Sequence, residues 1–372
     1  MIKSRKISLI ISIIIFSYIF ASCLTDDPLK KPFQNYTPPN IDDGWVIGNP
    51  AEVGIDGEAL KDIYRYVHND DGIWQIRSLL IFKDGYLVAE SYMKDNSDRT
   101  TPRAVWSCTK QFIGILIGIA VDEGKISLID TIADHLPQQA SRYPDKSGIT
   151  IENLLMMKSG IKYENDGNDS DDAKFAREEF SSSLNFIFGL KMHAAPGEKY
   201  KYKNSDPHIL SAILQEIYKK PMRDWAQEVL FAPIGITRLS WLNYKDGITM
   251  GGYGIKTTPR ELGKIGELML NDGMWNGKQI VSSTWIDEMT TAKIPPSEMG
   301  GYGSGIAFGY QWWKDEQRNL NIMWGYGGQL VFINKDKNLI VVITGETRLS
   351  GDFNLSINDA LKIYDRINVI TQ

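Results

Sequence analysis

The strongest constraint on the fold is the segment from Cys108 to Asp122, whose composition predicts a helix that is apolar on almost every side. A helix that lacks a polar face has to be covered by other elements all round. Gly114 and Gly118 allow it to pack closely against a neighbour, at a cost in helix propensity. The chain has 372 residues, of which 42% are hydrophobic, so it is long enough to bury this helix in a sizeable core.

The two ends of the chain predict strands, and the middle predicts helices. Residues 76–92 indicate a β-hairpin across an Asp84-Gly85 turn, and residues 355–368 a closing helix. The simplest assembly is an α/β (α+β) fold: one antiparallel sheet built from both termini and flanked by helices, with a mainly helical lobe inserted at about 125–235. A cleft between the two parts is where a site is expected. Short β-branched or aromatic runs predict the remaining strands at 308–313, 320–325, 330–333 and 339–344.

Capping residues indicate where several helices begin. Thr150 is the expected N-cap of a helix that ends near Gly160. Thr258 and Glu261 form a predicted capping box, which begins a helix that runs to about Asn271. Two further helical patterns have Pro near their starts, at 206–219 and 222–230.

The N-terminus has the layout of a secretory signal over residues 1–22, with a positively charged start and a short apolar run. The following Phe-Ala-Ser-Cys resembles a bacterial lipobox, with Phe20 where Leu is usual. We therefore expect export, lipidation of Cys23 and attachment to a cell-envelope membrane through that lipid. An uncleaved anchor is the alternative. Residues 23–44 are rich in Pro, Asp, Lys and Asn and predict a tether, followed by a folded domain over 45–372.

Charge, histidine and cysteine usage exclude several classes of function. The chain has 41 basic and 46 acidic residues, a net charge of −5, which argues against nucleic acid as a partner. Its four histidines show neither HExxH spacing nor a Cys/His cluster, so no metal site is predicted. With Cys23 lipidated, Cys108 has no partner for an internal disulfide, and its apolar surroundings favour core packing over catalysis.

The start of the buried helix carries a Ser-x-x-Lys motif, Ser107 to Lys110. Positions i and i+3 share one face of a helix, so the Lys110 amine can reach the Ser107 hydroxyl. Burial lowers the pKa of a lysine, which lets its neutral amine take the serine proton. The helix N-terminus also supplies N–H groups for a developing oxyanion. The alternative is an N-capping serine beside a lysine that extends to solvent.

The same motif occurs at Ser91 and Ser159, in less suitable places. Ser91 lies in the predicted hairpin, where positions i and i+3 point to opposite faces of the strand. Ser159 precedes the predicted end of a helix at Gly160. We therefore expect the nucleophile at Ser107.

Two further segments have residues suited to a catalytic site. A Pro-Gly turn precedes Tyr202-Lys203-Asn204, in which a tyrosine among lysines can relay protons and an asparagine can orient a substrate amide and the lysine. Glycines in the segment from Trp324 to Gln329 allow backbone N–H groups to approach a ligand closely. A capping Asn, a packed Tyr and an ordinary β-turn are the alternatives for these residues, and Tyr163-Glu164-Asn165 is a competing match to the Tyr-x-Asn pattern.

In this order, the three segments resemble those of the serine β-lactamase-like, penicillin-recognising superfamily. The resemblance covers about residues 50 to 370 and is closest to the class C-like branch of β-lactamases, D-Ala-D-Ala peptidases, D-aminopeptidases and esterases. It implies a β-lactamase/transpeptidase-like fold and a serine hydrolase that needs no cofactor or metal. Ser107 would be the acylated nucleophile, Lys110 its base partner, Tyr202 the activating residue and Asn204 a positioning residue.

The resemblance also implies an oxyanion hole made by the backbone N–H groups of Ser107 and Gln329. The family's third motif, Lys-Thr-Gly or His-x-Gly, is replaced here by Tyr326-Gly327-Gly328. Tyr326 lacks the positive charge that would bind a substrate carboxylate. We therefore expect hydrolysis of an uncharged ester or amide. A peptidoglycan or D-amino-acid peptidase, a β-lactamase, or a non-catalytic envelope-binding lipoprotein remain alternatives. Three aromatic residues are candidates to line an apolar pocket: Trp106, Tyr310 and Trp324.

Overall fold

The structure is a computed structural model, and it describes residues 30–165, 167–299, 305–347 and 354–372. The predicted signal and Cys23 lie outside the described residues. In chain order the strands are β1 Val46–Ile47, β2 Ile76–Lys83, β3 Tyr86–Tyr92, β4 Arg103–Ala104, β5 Leu239–Trp241, β6 Ile255–Thr257, β7 Met274–Trp275, β8 Lys278–Gln279, β9 Ala307–Phe308, β10 Trp313–Asp315, β11 Leu320–Gly325, β12 Gln329–Asn334 and β13 Leu339–Gly345.

Eight of these strands form one large sheet in the order β1-β3-β2-β13-β12-β11-β10-β9. Strand β2, from the N-terminal part, pairs antiparallel with β13, from the C-terminal part, so that Leu80 lies opposite Val342. The predicted sheet built from both ends of the chain is therefore confirmed. Its edge differs from the prediction, because β1 runs parallel to β3. A smaller sheet has the order β4-β6-β5, and β7 pairs with β8.

Helices cover both faces of the large sheet. They are α1 Gly57–Asn69, α2 Thr109–Asp122, α3 Ile132–His135, α4 Pro137–Arg142, α5 Ile151–Leu155, α6 Asp171–Ala176, α7 Ser183–Gly189, α8 Ser205–Tyr218, α9 Met222–Ala226, α10 Pro259–Leu270, α11 Ser283–Thr290 and α12 Ile357–Val369. Leu80 and Phe82 belong to the core that α2 and α10 share, whereas Leu79 and Ile81 belong to the core of α1 and α12. Because successive strand residues point to opposite faces, a sheet covered on both sides needs an unbroken apolar run such as 79–82.

The helix predicted over Cys108–Asp122 is confirmed as α2, which is buried from Thr109 to Ala120. Its two glycines lie where other elements approach closely. A Cβ on Gly114 would lie 2.9 Å from the Tyr310 carbonyl oxygen, and one on Gly118 would lie 2.1 Å from the Trp285 ring. The close packing that these glycines predicted is therefore present on two sides of the helix.

Between 132 and 231 the described helices are α3 to α9, joined by loops and followed by a π-helical turn at Gln227–Phe231. The helix that begins after Thr150 is shorter than predicted. Thr150 and Asn153 cap each other reciprocally, but the helix ends at Leu155 because Met157 adopts φ of 59° and turns the chain. The prediction of an end near Gly160 was therefore wrong.

The predicted capping box at Thr258 is only half formed. Thr258 accepts a hydrogen bond from the Glu261 N–H, as expected for an N-cap. The Glu261 carboxylate instead accepts bonds from the N–H groups of Thr237 and Arg238, both at 3.0 Å. Glu261 therefore connects α10 to a neighbouring loop. This contact could not be predicted from the sequence, because the loop lies more than 20 residues before Glu261 in the chain.

The predicted strand at 308–313 is two short strands, β9 and β10, with a tight turn between them. Gln311 takes φ of 64° in this turn, and its buried amide donates to the carbonyl oxygens of Leu154 and Leu155. Three long-range hydrogen bonds, including one from Gln111 to the Gln311 carbonyl, hold the chain out of the sheet. The pattern of aromatic residues alone does not reveal such contacts.

Residues 30–43, part of the predicted tether, run along the surface of the domain and are here named the N-terminal strap. Its Lys31 carbonyl lies 2.6 Å from His68 Nδ1, and its Tyr36 hydroxyl donates to the Gly57 carbonyl at 3.2 Å. At its end, Asp43 forms a buried ion pair with Arg260. This part of the segment is therefore anchored to the folded chain. None of the helices in the described ranges is long and apolar enough to cross a bilayer.

Candidate active site

Ser107 lies in a one-turn 3₁₀ helix, Trp106–Cys108, that leads directly into α2. Trp106 has φ of 50°, a left-handed conformation that is costly for a bulky side chain. The Cys108 N–H donates to the Val105 carbonyl at 3.1 Å and closes the turn. The strained turn thus presents Ser107 at the start of the buried helix.

Lys110 lies one turn further along, with its side chain fully buried. Its Nζ lies 3.0 Å from Ser107 Oγ, 2.5 Å from Asn204 Oδ1 and 2.7 Å from the Gly252 carbonyl oxygen. Burial lowers the pKa of Lys110 to about 7, and the Asp172 carboxylate opposes this effect. Near neutral pH a large fraction of Lys110 is therefore the uncharged amine.

The three contacts of Lys110 orient that neutral amine. An amide oxygen and a backbone carbonyl oxygen only accept hydrogen bonds, so Asn204 and Gly252 each take one N–H of the amine. The lone pair is then left towards Ser107, whose hydroxyl is able to donate to it. This arrangement is what a base needs in order to remove the proton from Ser107.

Tyr202 and Asn204, predicted from the second segment, lie in the same place. Lys110 Nζ is 4.8 Å from the centre of the Tyr202 ring, a distance at which the ring favours the protonated amine. The ring itself packs against Phe308 and Trp313. Asn204 immediately precedes α8, and its Nδ2 donates to Asp172 Oδ1 at 2.6 Å. The structure therefore brings Ser107, Lys110, Tyr202 and Asn204 together.

The third segment contacts the serine turn through Gly325, the last residue of β11. A Cβ on Gly325 would lie 2.2 Å from the Val105 carbonyl oxygen and 3.2 Å from the Cys108 N atom. Only glycine fits this approach without displacement. Beyond it, Tyr326, Gly327 and Gly328 form the turn to β12 and line the same cleft as Ser107.

Gln329 is the first residue of β12, pairs with Gly325 and contacts Cys108, the neighbour of Ser107. It is buried, its carbonyl accepts a hydrogen bond from the Cys108 thiol at 3.3 Å, and its side-chain amide donates to the Gly345 carbonyl at 2.8 Å. It does not belong to the described lining of the cleft. Its N–H group as an oxyanion donor stays a prediction. Burial raises the pKa of the Cys108 thiol, as expected for a packed rather than a reactive cysteine.

The cleft has a volume of about 650 Å³. Six aromatic residues line it, and none of its described lining residues is Lys or Arg. Of the predicted pocket aromatics, Trp106 and Trp324 are present, whereas Tyr310 is buried elsewhere and hydrogen-bonds to Glu152. The aromatic lining comprises Trp106, Tyr202, Tyr253, Trp313, Trp324 and Tyr326.

Sequence reasoning missed two residues of this site, Asp172 and Gly252. The competing Tyr-x-Asn match also adjoins the site, because the Tyr163 hydroxyl donates to Asp172 Oδ1 at 2.9 Å. A Cβ on Gly252 would lie 2.8 Å from Asn204 Oδ1, so a larger residue would collide with the amide. The Gly-Gly-Tyr-Gly run at 251–254 was a visible signal for Gly252. No group of three His, Cys, Asp or Glu side chains suited to a metal occurs within the part of the chain that the structure describes.

Comparison with known proteins identifies the family of the chain. The sequence profile of the Beta-lactamase family matches residues 77–361. Protein flp from Staphylococcus aureus (strain NCTC 8325 / PS 47) is 29% identical over 193 residues, 49% of this chain but only 38% of that relative's length. The 6-aminohexanoate-dimer hydrolase of Paenarthrobacter ureafaciens is 21% identical over 285 residues, 71% of each chain.

Solved structures agree with the family match at the level of the fold. A family VIII carboxylesterase superposes with a TM-score of 0.67 at 16% identity, covering 84% of this chain and 97% of that one. The predicted β-lactamase/transpeptidase-like fold is thus confirmed. With a profile match over most of its length, this chain belongs to the Beta-lactamase family, whose members are serine hydrolases.

Proposed function

We propose that this protein hydrolyses a neutral ester or amide through an acyl-enzyme on Ser107. The observation that carries the proposal is the buried Lys110 amine, 3.0 Å from Ser107 Oγ, with its pKa lowered to about 7. The neutral amine accepts the Ser107 proton while Oγ attacks the substrate carbonyl carbon. Backbone N–H groups, among them that of Ser107, stabilise the oxyanion.

The leaving alcohol or amine departs with a proton that the Lys110 ammonium and the Tyr202 hydroxyl can deliver. Water then attacks the acyl carbon, gives its proton to the same base, and releases the acid and free Ser107. Asn204 supports both steps because its amide oxygen holds one N–H of Lys110. No metal or organic cofactor takes part in this scheme.

A neutral substrate fits the charge distribution of the cleft. A carboxylate-bearing substrate needs a cation near the third segment, but the position is held by Tyr326, which is 41% exposed at the cleft. The Tyr326 ring packs edge-on against Trp106, with 5.6 Å between ring centres, and extends the aromatic lining. These features favour an uncharged, partly apolar acyl or leaving group.

Intact-protein mass after exposure to a fluorophosphonate is the direct test. We expect a single adduct on the wild-type protein and none on Ser107→Ala, because only an activated serine reacts. Ser159→Ala is the matched control, since Ser159 is buried and hydrogen-bonds to Asp206, and it should keep the adduct. A folded wild-type protein that forms no adduct would favour the non-catalytic binding lipoprotein instead.

The charge argument has its own test in Tyr326→Lys. We expect kcat/KM for a carboxylate-bearing p-nitrophenyl ester to rise about tenfold, since a new charge-assisted hydrogen bond at a partly exposed site contributes about 1.5 kcal/mol. The neutral ester of the same length is the control and should not gain. If the two esters respond alike, Tyr326 does not determine the preference for charge.

Amide hydrolysis is a second candidate, favoured by the similarity to a 6-aminohexanoate-dimer hydrolase over 71% of the chain. The similarity to the fold of a family VIII carboxylesterase favours esters. Turnover of matched neutral ester and amide substrates decides between them. If the protein were a peptidase or a β-lactamase, it should also hydrolyse carboxylate-bearing amides, with a kcat/KM at least equal to that for the neutral amide.

We also propose that the protein is exported and held on a membrane by lipid on Cys23. Three features of the N-terminus support this: a positively charged start, an apolar run over residues 7–20, and the Ala-Ser-Cys sequence at 21–23. Metabolic labelling with a palmitate analogue should mark the wild-type protein and not Cys23→Ala. Equal labelling of both proteins would contradict the proposal.

A further inference from the structure

The Asn204 amide is held between two groups of opposite charge. Its Oδ1 accepts a hydrogen bond from Lys110 Nζ at 2.5 Å, and its Nδ2 donates to Asp172 Oδ1 at 2.6 Å. Asp172 comes from α6, outside the three segments that predicted the site, and lines the cleft. Its contact with Asn204 joins this separate helix to the Ser107 site.

We propose that Asp172 is a positioning residue that fixes the orientation of the Asn204 amide and thereby directs the Lys110 lone pair at Ser107. This inference rests on the proposed function, because it assigns a role within the same acylation step. The hydrogen bonds of Lys110 go to Ser107, Asn204 and Gly252, so Asp172 is linked to the base by hydrogen bonds only through Asn204.

The argument follows from donors and acceptors. A carboxylate only accepts hydrogen bonds, so it requires the NH₂ side of the amide, which leaves the amide oxygen for Lys110. With the amide reversed, its NH₂ group would face the neutral amine and compete for the lone pair that Ser107 needs. Asp172 prevents that reversal by holding the NH₂ group of Asn204.

Asp172 is itself held in place. The buried Tyr163 hydroxyl donates to Asp172 Oδ1 at 2.9 Å, and the Asp172 N–H donates to the Glu164 carbonyl at 3.0 Å. A carboxylate that is already fixed orients the Asn204 amide more effectively than a mobile one, because less side-chain entropy is lost when their hydrogen bond forms. By holding the Asp172 carboxylate, Tyr163 therefore helps to fix the orientation of the Asn204 amide.

The Asp172 charge also acts on Lys110 across the amide. The groups around Lys110 are the Ser107 hydroxyl, the Cys108 thiol, the Tyr202 ring and Asp172. Asp172 is the largest factor that raises the pKa of Lys110 against burial. On its other sides Asp172 faces the hydroxyls Tyr163 and Tyr253, which carry no charge near neutral pH. Neutralising Asp172 should therefore lower the pKa of Lys110.

The test is the rate of fluorophosphonate labelling against pH, which needs no knowledge of the substrate. Asp172→Asn keeps an oxygen acceptor for Asn204 and Tyr163 but removes the charge. We expect the acid limb of its labelling-rate profile to shift to lower pH by roughly one unit. The labelling rate at the high-pH plateau should stay within about threefold of the wild-type rate. Asp172→Ala also frees the amide, and its plateau should fall at least about tenfold.

Asp171→Asn is the matched control, since Asp171 is the neighbouring acid of α6 and accepts from the Glu164 N–H instead. Its profile should superpose on that of the wild type, and thermal unfolding verifies that each variant is folded. If wild-type Ser107 is labelled but Asp172→Asn shows no shift and Asp172→Ala no loss, this inference is wrong and the proposed function stands. If wild-type Ser107 is not labelled at all, both fail.

Discussion

At the scale of single residues, four of the site residues were accessible from spacing and two were not. Ser107 and Lys110 share a helix face, and Tyr202 with Asn204 precedes a second helix, so local patterns sufficed to find them. Asp172 and Gly252 reach Asn204 and Lys110 from separate parts of the chain. The glycine-rich run at 251–254 marks Gly252, but neither segment indicates which residues it contacts, because tertiary packing brings those partners together.

The residue scale also determines the pH dependence. Lys110 must lose its proton to act as a base, and its pKa is about 7, so acylation should rise as pH increases through 7 and level off above it. Lys110→Arg keeps a proton at every accessible pH and should lower the labelling rate at least about 100-fold throughout. Lys94→Arg, the lysine of an unused Ser-x-x-Lys motif, is the control. An unchanged acid limb in Lys110→Arg would exclude Lys110 as the titrating base.

At the scale of elements, a strand or helix could be predicted from the sequence where the contacts that define it are local in the chain. The hairpin of β2 and β3 follows from an Asp-Gly turn between apolar runs, and α2 follows from its own composition. The break between β9 and β10 depends on Gln311, whose partners lie more than 150 residues away. The Glu261 carboxylate likewise accepts a hydrogen bond from the Thr237 N–H instead of completing the predicted capping box. Only the folded chain brings this loop near Glu261.

The contact between β11 and the serine turn is an element-scale prediction. In Gly325→Ala the new Cβ would meet the Val105 carbonyl oxygen at 2.2 Å, so the strand and the turn must separate. We expect labelling of Ser107 to fall at least about tenfold, because the displacement disturbs the N–H groups that stabilise the oxyanion. Gly148→Ala is the control, since no atom lies within 4 Å of its Cβ position. Equal labelling rates in both variants would show that this approach does not matter for acylation.

At the scale of the whole molecule, the N-terminal strap connects regions that are far apart in sequence. Phe33 and Tyr36 stack near Tyr64, while Asp43 and Glu90 share the buried Arg260. No residue of the strap lines the Ser107 cleft. The strap is thus expected to contribute to stability and not to the chemistry. Its composition predicted a tether because anchoring by a few long-range contacts leaves no periodic pattern.

Two shortened proteins separate these roles, one that begins at Lys30 and one that begins at Trp45. The second loses the aromatic contacts of Phe33 and Tyr36 and the buried Asp43 partner of Arg260. Burial of two partly exposed aromatic side chains contributes roughly 1–2 kcal/mol each, so we expect the free energy of unfolding in urea to fall by at least about 2 kcal/mol. The protein that begins at Lys30 should match the full chain after removal of residues 1–22. At low temperature both should be labelled at Ser107 at equal rates, because the cleft does not include the strap. Equal unfolding midpoints for the two proteins would instead mean that residues 30–43 act only as a tether.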